Sequence, residues 1–165
     1  MYKTIGRAVW MLALAGLFLI PGTARAEIDF GVRTGLYSDA DAGFLGVELL
    51  MDVTRQWFFN PNFEYVFVDD GDLYTLNLDA HYDLRTPASY ALWVGGGPAV
   101  IFSNFDPPPG CRGRGCESDD ETELGLNLLA GVGFWKRQAI RPYVQGKVVL
   151  SDNTEAAIAF GLRFH

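Results

Sequence analysis

The sequence predicts an all-β fold: an eight-stranded antiparallel up-and-down transmembrane β-barrel, preceded by a cleavable signal peptide. Three observations predict it. Residues 1–26 have the anatomy of an export signal, and residues 27–165 fall into eight stretches of alternating character. Those later residues hold no run of about 20 apolar positions, so no helix is available to cross a bilayer.

Lys3 and Arg7 form the positive start of the signal, and Ala8 to Ile20 is an apolar run too short to span comfortably. Pro21-Gly22 breaks that run, and Ala24-Arg25-Ala26 places small residues where a signal peptidase reads them. No cysteine lies near the cut, which argues against a lipid anchor. The expected division is therefore a signal peptide over 1–26 and one barrel domain over 27–165. Removing Lys3, Arg7 and Arg25 takes the net charge from −7 to about −10, which excludes nucleic acid as a partner.

Each of the eight stretches has two faces. Stretch one sets Ile28, Phe30, Val32, Thr34 and Leu36 against Asp29, Gly31, Arg33 and Gly35. Stretch two sets Leu45, Val47, Leu49, Met51 and Val53 against Gly46, Glu48, Leu50 and Asp52. In the third, Phe59, Pro61, Phe63, Tyr65 and Phe67 oppose Asn60, Asn62, Glu64 and Val66. The fourth alternates most cleanly, from Tyr74 to Leu84, against Thr75, Asn77, Asp79, His81 and Asp83. The fifth runs from Tyr90 to Phe102 and the sixth from Leu124 to Phe134, both rich in glycine on the second face. The seventh sets Val144, Gly146, Val148 and Leu150 against Tyr143, Gln145 and Lys147. The eighth sets Ala156, Ile158, Phe160, Leu162 and Phe164 against Ala157, Ala159, Gly161 and Arg163. An even count suits a closed up-and-down sheet.

One face is almost wholly apolar, with aromatics near the strand ends. The other mixes glycine, amides and isolated charges. A water-soluble barrel would carry a dense charged coat, so the expected arrangement is lipid outside and a narrow polar interior. Closure also leaves no unpaired edge in hydrocarbon. The links around 54–56, 85–89 and 136–140 are short, whereas the others are more acidic and Ser103 to Glu121 is the longest. Short turns are expected to face the periplasm, with both termini there and the long loops extracellular. Trp57, Tyr82, Tyr90, Phe134 and Phe164 are expected in one aromatic belt, and Phe67, Tyr74 and Phe102 in the other.

The export signal, the eight strands and the closing AAIAFGLRFH resemble the small outer-membrane β-barrels of Gram-negative bacteria, the OmpA/OmpX-like group. Members typically end on an aromatic residue with apolar residues at alternate positions before it. The matching positions here are Ala156, Ile158, Phe160, Leu162 and Phe164, with His165 one residue beyond the pattern. The resemblance implies an integral outer-membrane protein that meets outer-membrane lipid and lipopolysaccharide and is inserted by the barrel-assembly machinery. A monomer and no appended peptidoglycan-binding domain are the matching expectations.

Cys111 and Cys116 stand in the longest loop, in PPPGCRGRGC, and an oxidising compartment favours a local disulfide. Zinc is the weaker reading, because the spacing is wrong and no nearby histidine completes a set. Acid gathers in the loops: Asp39 and Asp41; Asp69, Asp70 and Asp72; Glu117 and Asp119 to Glu121; Asp152 and Glu155. Solvation explains it; a weak divalent cation bridging to lipopolysaccharide phosphate is the sharper alternative. Arg33 is expected to face Glu48 across the first hairpin, with Glu64, Asp79 and Lys147 at similar depth and Asp29 and Arg163 at the closing seam. Together they read as a lumen charge network that plugs the barrel rather than as an ion path. His81 has no serine of its strand beside it, so no catalytic residue or cofactor is expected. The function read from the sequence is non-enzymatic: an envelope-stabilising or adhesive barrel with acidic surface loops. The alternatives are a lipid A-modifying outer-membrane enzyme and a soluble periplasmic ligand-binding barrel.

Overall fold

A computed structural model describes residues 27–38, 42–68, 71–86, 89–105, 119–134 and 138–165. The expected signal peptide, Cys111 and Cys116 lie outside the described residues, as do Asp39, Asp41, Asp69, Asp70 and Glu117. Eight strands follow in chain order: β1 (Ile28–Tyr37), β2 (Ala42–Asp52), β3 (Trp57–Val66), β4 (Gly71–Leu84), β5 (Ala91–Phe105), β6 (Asp119–Gly133), β7 (Ile140–Leu150) and β8 (Glu155–Phe164). Each pairs antiparallel with its sequence neighbours, and β8 pairs with β1 to close the barrel.

The register fixes the barrel's dimensions. Ile28 pairs with Met51, and the chain of partners continues through Phe59, Ala80, Gly96, Leu128, Val148 and Ala156. Ala156 then accepts a hydrogen bond from the backbone of Ser38, ten positions beyond the start. A shear of ten over eight strands tilts each strand by about 41° and gives a backbone radius of about 8 Å, for ordinary strand rise and spacing. A ten-residue strand at that tilt rises about 25 Å, the height of an apolar membrane band.

The alternation read from the sequence is the alternation of the wall. Phe30, Val47, Phe63, Leu78, Val94, Leu126, Val148 and Phe160 face outward, while their chain neighbours are buried or half-buried on the inner face. Outward rings cluster near both rims. Trp57 meets Tyr82 edge-on at 5.1 Å, and Tyr65 meets Phe67 and Tyr74 at 5.2 and 5.5 Å.

The strands run farther than alternation alone suggests. The β5–β6 ladder continues to Phe105 opposite Asp119, so the long link shrinks from 103–121 to 106–118. The acidic run there shows no apolar period, yet backbone pairing carries the hairpin onward. Since β6 pairs with β7 only from Leu126, residues 119–125 rise beyond that neighbour. Connection length therefore distinguishes the two ends only through 106–118. The links 38–41, 67–70 and 151–154 are as short as 53–56, 85–90 and 134–139. Below, the first three links and 106–118 mark the loop end, and the others mark the turn end.

Candidate functional site

The lumen holds the side chains with chemistry, and it is layered. At the loop end Tyr37, Phe44, Val66, Ala99, Val149 and Ala157 pack as an apolar cap. At the turn end Trp93, Leu129 and Tyr143 form a second, aromatic cap. Between them lies a polar layer, so the narrow polar interior expected from the sequence is flanked by an apolar cap at each end.

Glu64 is the centre of that layer. Its Oε2 accepts hydrogen bonds from Lys147 Nζ at 2.7 Å, from Thr75 Oγ1 at 3.1 Å and from the Tyr37 hydroxyl. Its Oε1 lies 3.2 Å from Arg33 Nη2. Lys147 also donates to Tyr37 at 2.9 Å. Arg33 approaches Glu48 at 3.7 Å, so the ion pair expected across the first hairpin is the longer of its two. The tilt is the reason: Arg33 stands opposite Gly46, and Glu48 opposite Gly31. A long guanidinium on this sheared wall reaches β3 more closely than its diagonal neighbour on β2.

Glu48 is held chiefly by Arg163, whose Nε donates to Oε1 at 2.7 Å. The Arg163 guanidinium also lies over the rings of Tyr143 and Trp93, at 4.3 and 5.0 Å. Asp29, expected beside Arg163 at the seam, is bound instead by Arg141 and His165. Asp79 has no ion pair shown in the described residues. Asn62 Nδ2 and Asn127 Nδ2 donate to its two oxygens, each at 2.9 Å. Asn127 donates also to Asn77 at 2.8 Å, and Asn77 to Asn62 at 2.9 Å, closing a ring of amides around the carboxylate. Asn60 links this ring to Glu48, donating to it at 3.2 Å.

Formal charges balance across the deeply buried set. Arg33, Lys147 and Arg163 stand against Glu48, Glu64 and Asp79, and Asp29, also buried, is matched by the partly exposed Arg141. Buried charges are tolerated when paired and hydrogen-bonded, and costly when one partner is removed. The amide ring, the Trp93–Tyr143 clasp on Arg163 and the Tyr37 hydroxyl are components the sequence reading missed. Their signal was present, since Asn60, Asn62, Asn77 and Asn127 all fall on inward positions of β3, β4 and β6.

His81 is buried on the lumen wall, stacked nearly parallel on Trp93 with 5.9 Å between ring centroids. Its Nε2 has no hydrogen-bond partner among the described residues. It borders a cavity of about 80 Å³ at the turn end, shared with Asp83, Arg141 and Arg163. A second lumen cavity of about 20 Å³ sits at the loop end, below Leu73, Ile101 and Ser151. The ion-paired layer separates the two.

No family model matches the chain, and no curated protein matches it by sequence. Solved structures match its fold. The N-terminal β-barrel domain of Pseudomonas aeruginosa OprF superposes with a TM-score of 0.68 at 14 % identity, over 85 % of this chain and 98 % of that one. Neisserial surface protein A gives 0.60 at 14 %, over 83 % and 94 %. Ail, the attachment invasion locus protein of Yersinia pestis, gives 0.60 at 14 %, over 84 % and 96 %. The chain thus has the fold of the small eight-stranded outer-membrane barrels.

Proposed function

We propose that the chain is an integral, non-enzymatic barrel of a Gram-negative outer membrane, serving as an envelope-stabilising or adhesive surface element. One observation carries this reading: an apolar outer wall encloses a lumen filled by a charge-balanced plug. An apolar wall of this height suits hydrocarbon, and a filled lumen suits a protein whose exposed work is done by its loops rather than by transport. The long connection 106–118, carried outward by the β5–β6 hairpin, is the natural contact element. Ail, similar in fold, is by name an attachment protein. His81 argues against lipid modification, because it stacks on Trp93 inside the lumen rather than facing lipid.

In this reading residues 1–26 are removed on export, both ends of the mature chain lie in the periplasm, and the loop end is extracellular. Insertion runs through the barrel-assembly machinery, the barrel is a monomer, and Cys111 and Cys116 form a local disulfide. Lipid and lipopolysaccharide are its immediate surroundings, with a weakly held divalent cation bridging loop acids to phosphate. The test is deletion of the gene, complemented by wild type or by a variant with 106–118 replaced by a short Gly-Ser turn. An adhesive role predicts lost attachment with an intact permeability barrier in that variant; an envelope role predicts that only the full deletion weakens the barrier. If neither deletion nor variant alters attachment or barrier, the proposal fails.

A further inference from the structure

On the turn-end side of the ion-paired layer, the cavity of about 80 Å³ has a mixed lining. Leu50, Phe58 and the Trp93 ring are its apolar part, and His81, Asp83, Arg141 and Arg163 are its charged and polar part. It reaches the surface, since Asp83 is half-buried and the Arg141 side chain is 23 % exposed. A water needs about 10–15 Å³ of such space, so the cavity has room for about five waters or for one ligand of a few heavy atoms. Arg141 of β7 and Arg163 of β8 stand directly opposite each other in the register. Like charges so placed repel, and the sheet tolerates them only when anions sit close by.

Each guanidinium is paired on one side only. Arg141 commits Nη2 to Asp29 and Arg163 commits Nε to Glu48, and neither acceptor lines the cavity. Arg141 Nε is buried with no hydrogen-bond partner among the described residues. The same holds for Nε2 of His81, a side chain only 1 % exposed. Buried polar atoms are normally bonded, so two such atoms on one cavity point to something that fills it. The lining sets two guanidinium groups against one carboxylate, Asp83, which favours an acceptor carrying negative charge. We propose that this cavity is a binding site for a small carboxylate that enters from the turn end. Arg141 Nε donates to it, as does His81 Nε2 in the tautomer that carries its proton there, while the Arg163 guanidinium supplies charge. Leu50, Phe58 and Trp93 receive the short apolar remainder of the ligand. An inorganic oxyanion would satisfy the same donors but would set hydrated oxygens against those apolar walls.

The experiment reads the ring nitrogens of His81 by NMR in the full chain, held in zwitterionic micelles at neutral pH. The sequence has two histidines, and His165→Gln assigns them. Sodium acetate is titrated against sodium chloride at constant ionic strength. The His81 signals are expected to shift and to saturate in the millimolar range, with a proton on Nε2 in the bound form. Acetamide, neutral and of the same shape, should bind about tenfold more weakly, and Arg141→Gln should weaken acetate about fivefold. Asp83→Asn, which removes the lining carboxylate, should tighten acetate about two- to fivefold, a gain that a misfolded variant does not produce. A shift that never saturates, an equal response to acetamide, or an Nε2 without a proton in saturating acetate overturns the site and leaves the cavity to water.

Discussion

Glu64 serves four partners on three other strands, Arg33 and Tyr37 of β1, Thr75 of β4 and Lys147 of β7, which makes its carboxylate the most consequential buried charge in the lumen. Replacing it by Gln removes the negative charge that Arg33 and Lys147 share and leaves Arg33 only Glu48, at 3.7 Å. Glu64→Gln is expected to lose about 3–5 kcal/mol in urea unfolding from micelles, and Glu64→Gln with Lys147→Met to recover part of that. Asp79→Asn poses a subtler problem. Both carboxylate oxygens accept from amides, so the new NH₂ must face a donor; a loss of about 1–3 kcal/mol is expected. Which residues point inward was legible, because strand parity alone selects Arg33, Glu48, Glu64, Asp79, Lys147 and Arg163. Who bonds to whom was not. Partner choice depends on tilt and side-chain reach, and these moved Arg33 toward Glu64 and left Asp29 to Arg141 and His165.

At the scale of strands, large interior rings are seated on glycines of the next strand. The Trp93 ring lies against Gly131, with Gly133 beside it, and the Tyr143 ring lies over Gly161. A methyl group at Gly131 or Gly161 would meet the aromatic ring itself, whereas one at Gly146, which faces outward, would meet nothing within 4 Å. Gly161→Ala is therefore expected to cost about 1–3 kcal/mol in the same unfolding assay, and Gly146→Ala to stay within about 0.5 kcal/mol of wild type. Glycine-rich inward faces on β5 and β6 were visible in the sequence as composition. Their role as seats was not visible, because it requires knowing that Gly131 lies opposite Trp93 and Gly161 opposite Tyr143. The outward continuation of β5 and β6 escaped for a different reason. A hairpin built of polar and acidic residues leaves no hydrophobic period to read.

For the whole molecule, strand number and shear set a lumen that side chains can fill, and the two caps with the ion-paired layer fill it. Planar-bilayer recording of the purified chain should show no sustained open channel, and a stable open conductance would refute the plug. The central claim is that the apolar wall faces lipid, and one measurement tests it most directly. Envelope membranes are separated, washed with alkaline carbonate, and run on gels with and without boiling. The account predicts a band retained in the outer-membrane fraction that changes mobility only after boiling. A band released into the wash and unchanged by boiling would contradict it, and would make the apolar face a core rather than a lipid-facing wall.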